Sequence, residues 1–380
     1  MRICFILDYY YPHLGGVEYL FKNLVEGLCR EGHEAVVLTR HLPGSPRKET
    51  INGVTIYRVR TVNRYLFTLL AIPKALSLAR KCDIVHTTTY NAAFPAWIAA
   101  KILGKPVVIT IHEVWLNKWR LYTDMSRPAA WLHNFLEKMI YCLSFDRYIA
   151  ISQSTANQLS AIQIPTPRIQ AIYHGFDHEY FNPDLYDAER IRKKYALGSS
   201  FVCFAWGRPG VSKGHEYLIR AVPRIIEKIP RARILLMLSG EDTYRNRYEY
   251  LKNMIEKLDL AEGIALVDPA PRNELGDYLK AADCIIIPSL AEGFGYAVLE
   301  ACAMRKPVVA SNTTSIPEVI HGRYVLVEPK NPDAIANGVE RVSRGEYDTS
   351  GAKVFTWSKT IADCIEVYTA LQRGKGFRSP

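Results

Sequence analysis

At 380 residues, 48% of them hydrophobic and 23% charged, the chain is too long for one hydrophobic core and too apolar to be disordered, so two globular domains are expected. The net charge of +10 is uneven, with 20 Lys/Arg against 13 Asp/Glu in residues 1–180 and 28 against 25 in the rest. That asymmetry points to an anionic partner for the first half, and by itself does not choose among nucleic acid, lipid and phosphosugar.

Residues 2–7, apolar from Ile3 onward, read as a strand. A tyrosine-rich loop follows, holding Gly15 and Gly16, and then a helix whose Leu20, Leu24, Val25 and Leu28 share one face. Gly32 caps it and 35–39 is the next strand. A β-loop-α-β unit of this kind opens a doubly wound sheet. Gly15 and Gly16 stand before a helix, where backbone can approach a phosphate, or they simply make a turn. Residues 52–60 read as a hairpin or edge strand, and 64–81 as an apolar, basic segment that Pro73 must break or kink. Residues 83–86 and 106–110 are further strands. His112 and Glu113 follow at the carboxyl end of the second, where open α/β sheets bind ligands, although a structural histidine fits there too. Residues 115–142 are rich in Trp, Tyr, Lys and Arg. Residues 146–152 end as a strand at a helix start capped by Ser152 or Ser154. A turn at 172–183 and a polar helix at 187–195 lead across to the second half.

There a strand at 201–206 ends in Gly207-Arg208 and runs through Lys213-Gly214 into a helix carrying Leu218, Ala221 and Ile225. Arg208 and Lys213 thus stand at a strand's carboxyl end and can neutralise a diphosphate; two solvated surface cations are the plainer alternative. Strands at 231–240 and 263–267 alternate with helices at 249–258 and 273–281, and 284–288 is a short buried parallel strand. Next come Ser289, Glu292, Gly293, Phe294, Gly295 and Tyr296, with Glu300 in the second turn of the helix that follows. A helix start offers unpaired N–H groups and the positive end of the macrodipole, which favour an anion, and the two glycines allow close approach. Glu300, a few ångströms up the axis at ~1.5 Å per residue, can accept hydrogen bonds from hydroxyls attached to that phosphate. Glu292 stays on the loop to face another part of the ligand. A strand at 307–311 and a helix at 357–371 complete the chain, with 372–380 expected to be disordered.

The spacing of Glu292 and Glu300 resembles the Glu-x(7)-Glu signature of family 4 of the retaining glycosyltransferases, and the likeness runs in order along nearly the whole chain. It implies an α/β protein of two Rossmann-like doubly wound domains facing a cleft, the GT-B fold. Residues 1–180 would bind the acceptor and 181–355 the nucleotide sugar, with the helix at 356–371 packed back on the first domain. In such proteins the Gly15-Gly16 loop contacts the donor near the reacting carbon and His112 reaches the donor sugar. Here Ile111 is inserted and Glu113 replaces the usual Asp. Arg305 and Thr314 or Ser315 stand where the family usually has glycine. The resemblance further implies retention of configuration, with the diphosphate held by Arg208, Lys213 and the backbone of Gly293, Phe294, Gly295 and Tyr296. Glu292 would bind donor-sugar hydroxyls and Glu300 the ribose.

An epimerase or phosphorylase on the same fold is the alternative, and the Arg208/Lys213 pair with the Glu292/Glu300 spacing fits a transferase better. A nicotinamide dehydrogenase is rejected because Val298 stands where a third glycine is needed. A nucleic-acid binder is rejected because no recognised module occurs. The chain has no Asp-x-Asp motif, so neither metal nor other cofactor is expected: the donor, a UDP- or GDP-linked hexose, is a substrate. The eight cysteines lie scattered, with no zinc spacing, and suit a reducing compartment. Asp8 interrupts the one apolar run near the start, so no signal peptide is expected, and no stretch nears the ~18 apolar residues of a spanning helix. Residues 64–81, 115–122 and 131–142 interleave aromatics with cations. They are either ordinary helix cores with solvated cations or faces that lie on a membrane. With the charge asymmetry, the expectation is a cytoplasmic enzyme in peripheral contact with an anionic membrane, acting on a glycan or lipid-linked acceptor.

Overall fold

The computed structural model describes residues 1–13, 15–240 and 242–375, so the disorder expected at 376–380 lies outside the described residues. Residues 372–375 are helical instead, since the last helix is Trp357–Lys375. Two compact units divide the chain, one of Met1–Asn117, Trp131–Gly175 and the segment from Phe355, the other of Lys118–Ala130 and Phe176–Val354. Residues 118–130, read from sequence as part of the first domain, group with the second because the short helix Trp119–Tyr122 packs on the 3-10 turn Val211–Lys213.

The first unit is built on β1 (Arg2–Ile6), β2 (Glu34–Arg40), β3 (Lys48–Ile51), β4 (Val54–Val59), β5 (Ile84–Thr88), β6 (Val107–Ile111), β7 (Arg147–Ala150) and β8 (Ile169–Ala171). They form one sheet in the order β3-β4-β2-β1-β5-β6-β7-β8, parallel except for the β3/β4 hairpin at its edge. The period of two in β1 sends Ile3 and Phe5 to one face, against helices Gly16–Arg30 and Trp357–Lys375. Cys4 and Ile6 go to the other, with Phe67, Ala75, Ala96 and Leu159 from the helices that cover it. Pro73 breaks the 64–81 segment as expected: Arg64–Leu70 and Ile72–Ala79 meet at Ala71, with Pro73 in the first turn of the second helix. Six of the eight cysteines are buried, while Cys142 is exposed and Cys29 half-buried.

The second unit holds β9 (Phe201–Gly207), β10 (Ala232–Leu238), β11 (Ile264–Val267), β12 (Cys284–Ile287), β13 (Val308–Ser311), β14 (Gly322–Val327) and β15 (Asp348–Ser350). Their order is β11-β10-β9-β12-β13-β14-β15, with β15 alone antiparallel. Cys203, Ala205, Ile234, Leu236 and Ile286 line one face beneath helices His215–Lys228 and Pro332–Ser343. The chain lays β10 and β11 on one side of β9, then returns to lay β12, β13 and β14 on the other. A topological switch point therefore lies between β9 and β12, and the crevice at the carboxyl ends of such strands is where open α/β sheets take ligands. The first sheet has the same reversal between β1 and β5.

Candidate active site

The loops that leave β9 and β12 touch. Leu290 N donates to Ser212 O at 2.7 Å, and Gly214 lies so close to the second loop that a Cβ there would stand 2.0 Å from the Pro288 carbonyl oxygen. With φ at +66°, Gly214 is a position where only glycine fits. Their contact brings Lys213 to Glu292: Nζ donates to Oε1 at 2.7 Å, across 79 residues of sequence. Ser289 Oγ donates to the same oxygen at 2.7 Å. The backbone of Glu292 is pinned as well, its N–H donating to Thr314 Oγ1 at 2.9 Å and its carbonyl accepting from Ser315 Oγ at 3.0 Å. Glu292 is thus a mostly buried carboxylate already facing one cation, where the sequence suggested a free loop acid.

Gly295, at φ +98°, caps helix Tyr296–Ala303, whose first N–H groups face the turn. Phe294 is buried, its ring edge-on to Tyr296 with centroids 5.2 Å apart. Glu300, on the same helix, is also buried, with Oε1 3.6 Å from an exposed Arg272 guanidinium. Burial pushes its carboxyl up to about 7, while Arg272, a hydrogen bond from Trp206 and Lys213 pull it back and Glu292 adds to the rise. Arg208 is exposed, and its guanidinium lies 5.8 Å over the Tyr244 ring with Nη1 3.4 Å from the hydroxyl. Among the described residues no acid pairs with it, whereas Lys213 and Arg272 each face a glutamate.

Sequence reasoning missed Arg272, Ser289 and the Thr314 hydroxyl, none of which carries a local signal. At both departures from the family's glycines the backbone keeps the conformation that suits glycine: φ is +55° at Arg305 and +46° at Thr314.

Of the expected residues, Gly15, Gly16 and His112 belong to the first unit. Gly15 N donates to Glu18 Oε2 at 3.0 Å, and a Cβ on Gly15 would stand 2.6 Å from that oxygen. The helix start expected to meet a phosphate is therefore already capped by a buried carboxylate. Gly16 has open space where a Cβ would stand. His112 follows β6, edge-on to Phe21 and His174 at 6.3 and 5.9 Å. Burial lowers its pKa to about 4, so it is neutral, and its buried Nε2 has no hydrogen-bond partner among the described residues. His86, one strand away, makes the contrast: Nδ1 meets the Tyr368 hydroxyl at 2.7 Å and Nε2 meets Thr110 Oγ1 at 2.8 Å. His86 is a satisfied structural histidine, and the His112 Nε2 is not matched in this way among the described residues. Among the described residues no three His, Cys, Asp or Glu side chains cluster as a metal site, and no helix is long and apolar enough to cross a membrane.

Comparison with known proteins gives the geometry a context. Residues 14–180 match the family described as Glycosyltransferase Family 4, and residues 187–352 match Glycosyl transferases group 1. An uncharacterized glycosyltransferase of Methanocaldococcus jannaschii is 30% identical, over 97% of this chain and 98% of that one. The D-inositol 3-phosphate glycosyltransferase of Corynebacterium jeikeium is 26% identical, over 96% and 94%. The structure of Anabaena HepE in complex with UDP and glucose is similar in fold, with a TM-score of 0.71 at 18% identity over 99% and 98% of the two chains.

Proposed function

Because this chain belongs to glycosyltransferase family 4, with the GT-B fold of the group 1 enzymes, we propose that it moves a hexose-type sugar from a UDP- or GDP-linked donor to a glycan or lipid-linked acceptor, with retention of configuration and without a metal. The observation that carries this reading is the set of groups at the β9/β12 switch point: Arg208, the Lys213–Glu292 pair, the Gly295 helix start and buried Glu300. UDP is the ligand named for HepE, and a nucleoside diphosphate suits the same set here.

Departure of the nucleoside diphosphate builds negative charge on its leaving oxygen. Cations and amides already in place stabilise that charge without reorganising. Arg208, Lys213 and the backbone from Gly293 to Tyr296 take this part, and Glu300 accepts from the ribose hydroxyls. Glu292, oriented by Lys213, Ser289 and Thr314, takes donor-sugar hydroxyls. For His112 and the Gly15-Gly16 backbone, in residues 1–180 of the sequence reading, the resemblance implies a part at the donor sugar, and a buried His112 Nε2 without a partner among the described residues suits that part. Apolar side chains that helices of the first unit turn outward (Trp131, Phe135, Met139 and Leu69) support an acceptor held at an anionic membrane surface.

Calorimetric titration with UDP and GDP, paired with assay of Arg208→Ala, tests the reading. One nucleotide should bind, and the variant should lose about 10²–10³-fold in turnover. A folded Arg208→Ala with near-normal activity overturns the diphosphate site.

A further inference from the structure

The second unit has an opposite edge. At the amino ends of β12, β13 and β14, across the sheet from the β9 and β12 loops, two adjoining cavities of about 280 and 360 Å³ share Arg305, Lys306 and Arg323 in their walls. Lys353, His178 and His321 complete the first, which no acidic residue lines among the described residues. Asp283 lines the second, but its Oδ2 already accepts from Arg192 at 2.9 Å and from Val202 N at 2.8 Å. Among the described residues the hydrogen bonds of the lysines go to carbonyl oxygens: Lys306 Nζ donates to Lys280 O at 2.7 Å, and Lys353 Nζ, which also feels the Glu318 charge, to Glu318 O at 2.7 Å and Pro317 O at 3.3 Å.

Three features separate this basin from an ordinary solvated surface. Cations just past helix Tyr296–Ala303 complement its dipole, which accounts for Arg305 and Lys306. It does not account for Arg323 on β14 or Lys353 beyond β15, which converge on the same space. Second, Arg305 occupies a left-handed backbone position, φ +55°, that suits glycine, so a guanidinium is placed there against conformational preference. Third, the cations crowd one another. The Lys306 ammonium is held below its usual range by burial first, against the pull of Asp283, and then by Arg192, Arg323 and Lys280. A bound anion would relieve that repulsion.

We propose that this basin binds a phosphate-bearing small molecule, at a site separate from the nucleotide-sugar groups. Strands of four residues put the two edges more than about 13 Å apart, too far for one diphosphate to span. The proposal does not rest on the transferase reading, and its test keeps the two apart.

Calorimetric titration of the full chain with glycerol 3-phosphate, and in parallel with soluble dihexanoyl phosphatidic acid, separates a free ester from a lipid headgroup; saturable binding of either supports the site. Arg305→Gly, which restores the residue that φ favours and so should fold, combined with Arg323→Gln, is expected to weaken that binding about 10- to 100-fold. UDP affinity should not move. Arg208→Ala should do the reverse. The site is overturned if the wild type binds neither probe, or if Arg208→Ala abolishes binding while the double variant retains it. Absence of UDP binding would sink the donor reading and leave this basin standing.

Discussion

Burial raises the Glu300 carboxyl to about 7 against the pull of Arg272, Trp206 and Lys213. Unfolded, the same group titrates near 4.5. The folded chain therefore holds the proton more tightly, and this residue favours folding below about pH 4.5, a contribution lost as pH rises through about 7. Glu300→Gln should gain stability relative to the wild type as pH is raised from about 5 to 8, by roughly 2–3 kcal/mol. A difference that stays flat across that range, read by urea denaturation, refutes a protonated buried carboxyl. The same variant should weaken nucleoside diphosphate binding, whereas Glu292→Gln should leave it and impair transfer. Lys213 behaves differently from Arg208. Its partner Glu292 is mostly buried, with 10% of the side chain exposed, so Lys213→Ala strands a carboxylate left, among the described residues, with the Ser289 hydroxyl. About 1–3 kcal/mol of stability should go with it, while Arg208→Ala, on an exposed side chain, should be silent. Adding Glu292→Ala to Lys213→Ala should recover part of the loss. Two strictly additive variants would mean that the pair does not couple.

Helix Trp357–Lys375 is fastened to the first unit by the Tyr368 hydroxyl on His86 Nδ1 and by buried Thr360, whose Oγ1 donates to Tyr173 O at 2.8 Å. The His86 pKa is lowered to about 3, chiefly by burial, so this bond does not titrate across the range in which the protein is handled. Tyr368→Phe should cost about 1–2 kcal/mol at every pH from about 5 to 9; a cost that vanishes toward acid pH would place a charge on His86. Elements of this kind were legible in the sequence wherever a local rule sets them. Pro73 splits its segment, Ser152 caps helix Gln153–Ala161 through Thr155 N, and the Leu20, Leu24 and Leu28 face is buried. The glycines of the 293–295 turn were read for the same reason. Helix Arg127–Cys142 shows the limit. Its apolar residues repeat at helical spacing, but periodicity does not say which face is the core, and here Trp131 and Phe135 point outward while Glu137 is buried. The Lys213–Glu292 pair and Arg272 at Glu300 were out of reach for a further reason. They depend on which strands become neighbours at the switch point, and no pattern along the chain records that.

At the scale of the whole molecule, the uneven charge becomes a question about one surface. Helix Arg127–Cys142 exposes Trp131 (69%), Leu132, Phe135 (47%) and Met139, with the Trp131 and Phe135 rings stacked at 5.9 Å. Its one acid, Glu137, is buried, and Lys138 is exposed. Helix Arg64–Leu70 exposes Tyr65, Leu66, Leu69 and Leu70, and neither it nor Ile72–Ala79 carries an acid. The two helices are near each other, since the Arg64 charge adds to burial in lowering the pKa of His133. The ordinary-core reading fits 115–122, where Trp119 is buried and Trp115, Leu116 and Tyr122 are half-buried, but it fails on exposure for the large apolar side chains of Arg64–Leu70 other than Phe67 and for most of those of 131–142. An apolar, acid-free, cation-edged face is what an anionic bilayer surface matches, with the rings entering the headgroup region and each nearby cation adding ~1 kcal/mol. In sedimentation, the protein should pellet with vesicles rich in anionic lipid, weakly with neutral ones, and be released at about 0.5 M salt, where screening cuts the range of the attraction to a few ångströms. Trp131→Ser with Phe135→Ser should abolish pelleting and leave UDP binding intact. Should the wild type stay in solution with every vesicle, or pellet regardless of salt and of these two rings, the face does not serve a charged membrane. Self-association that grows with protein concentration in the absence of lipid, and disappears in the same double variant, would assign the face to a second copy of the chain.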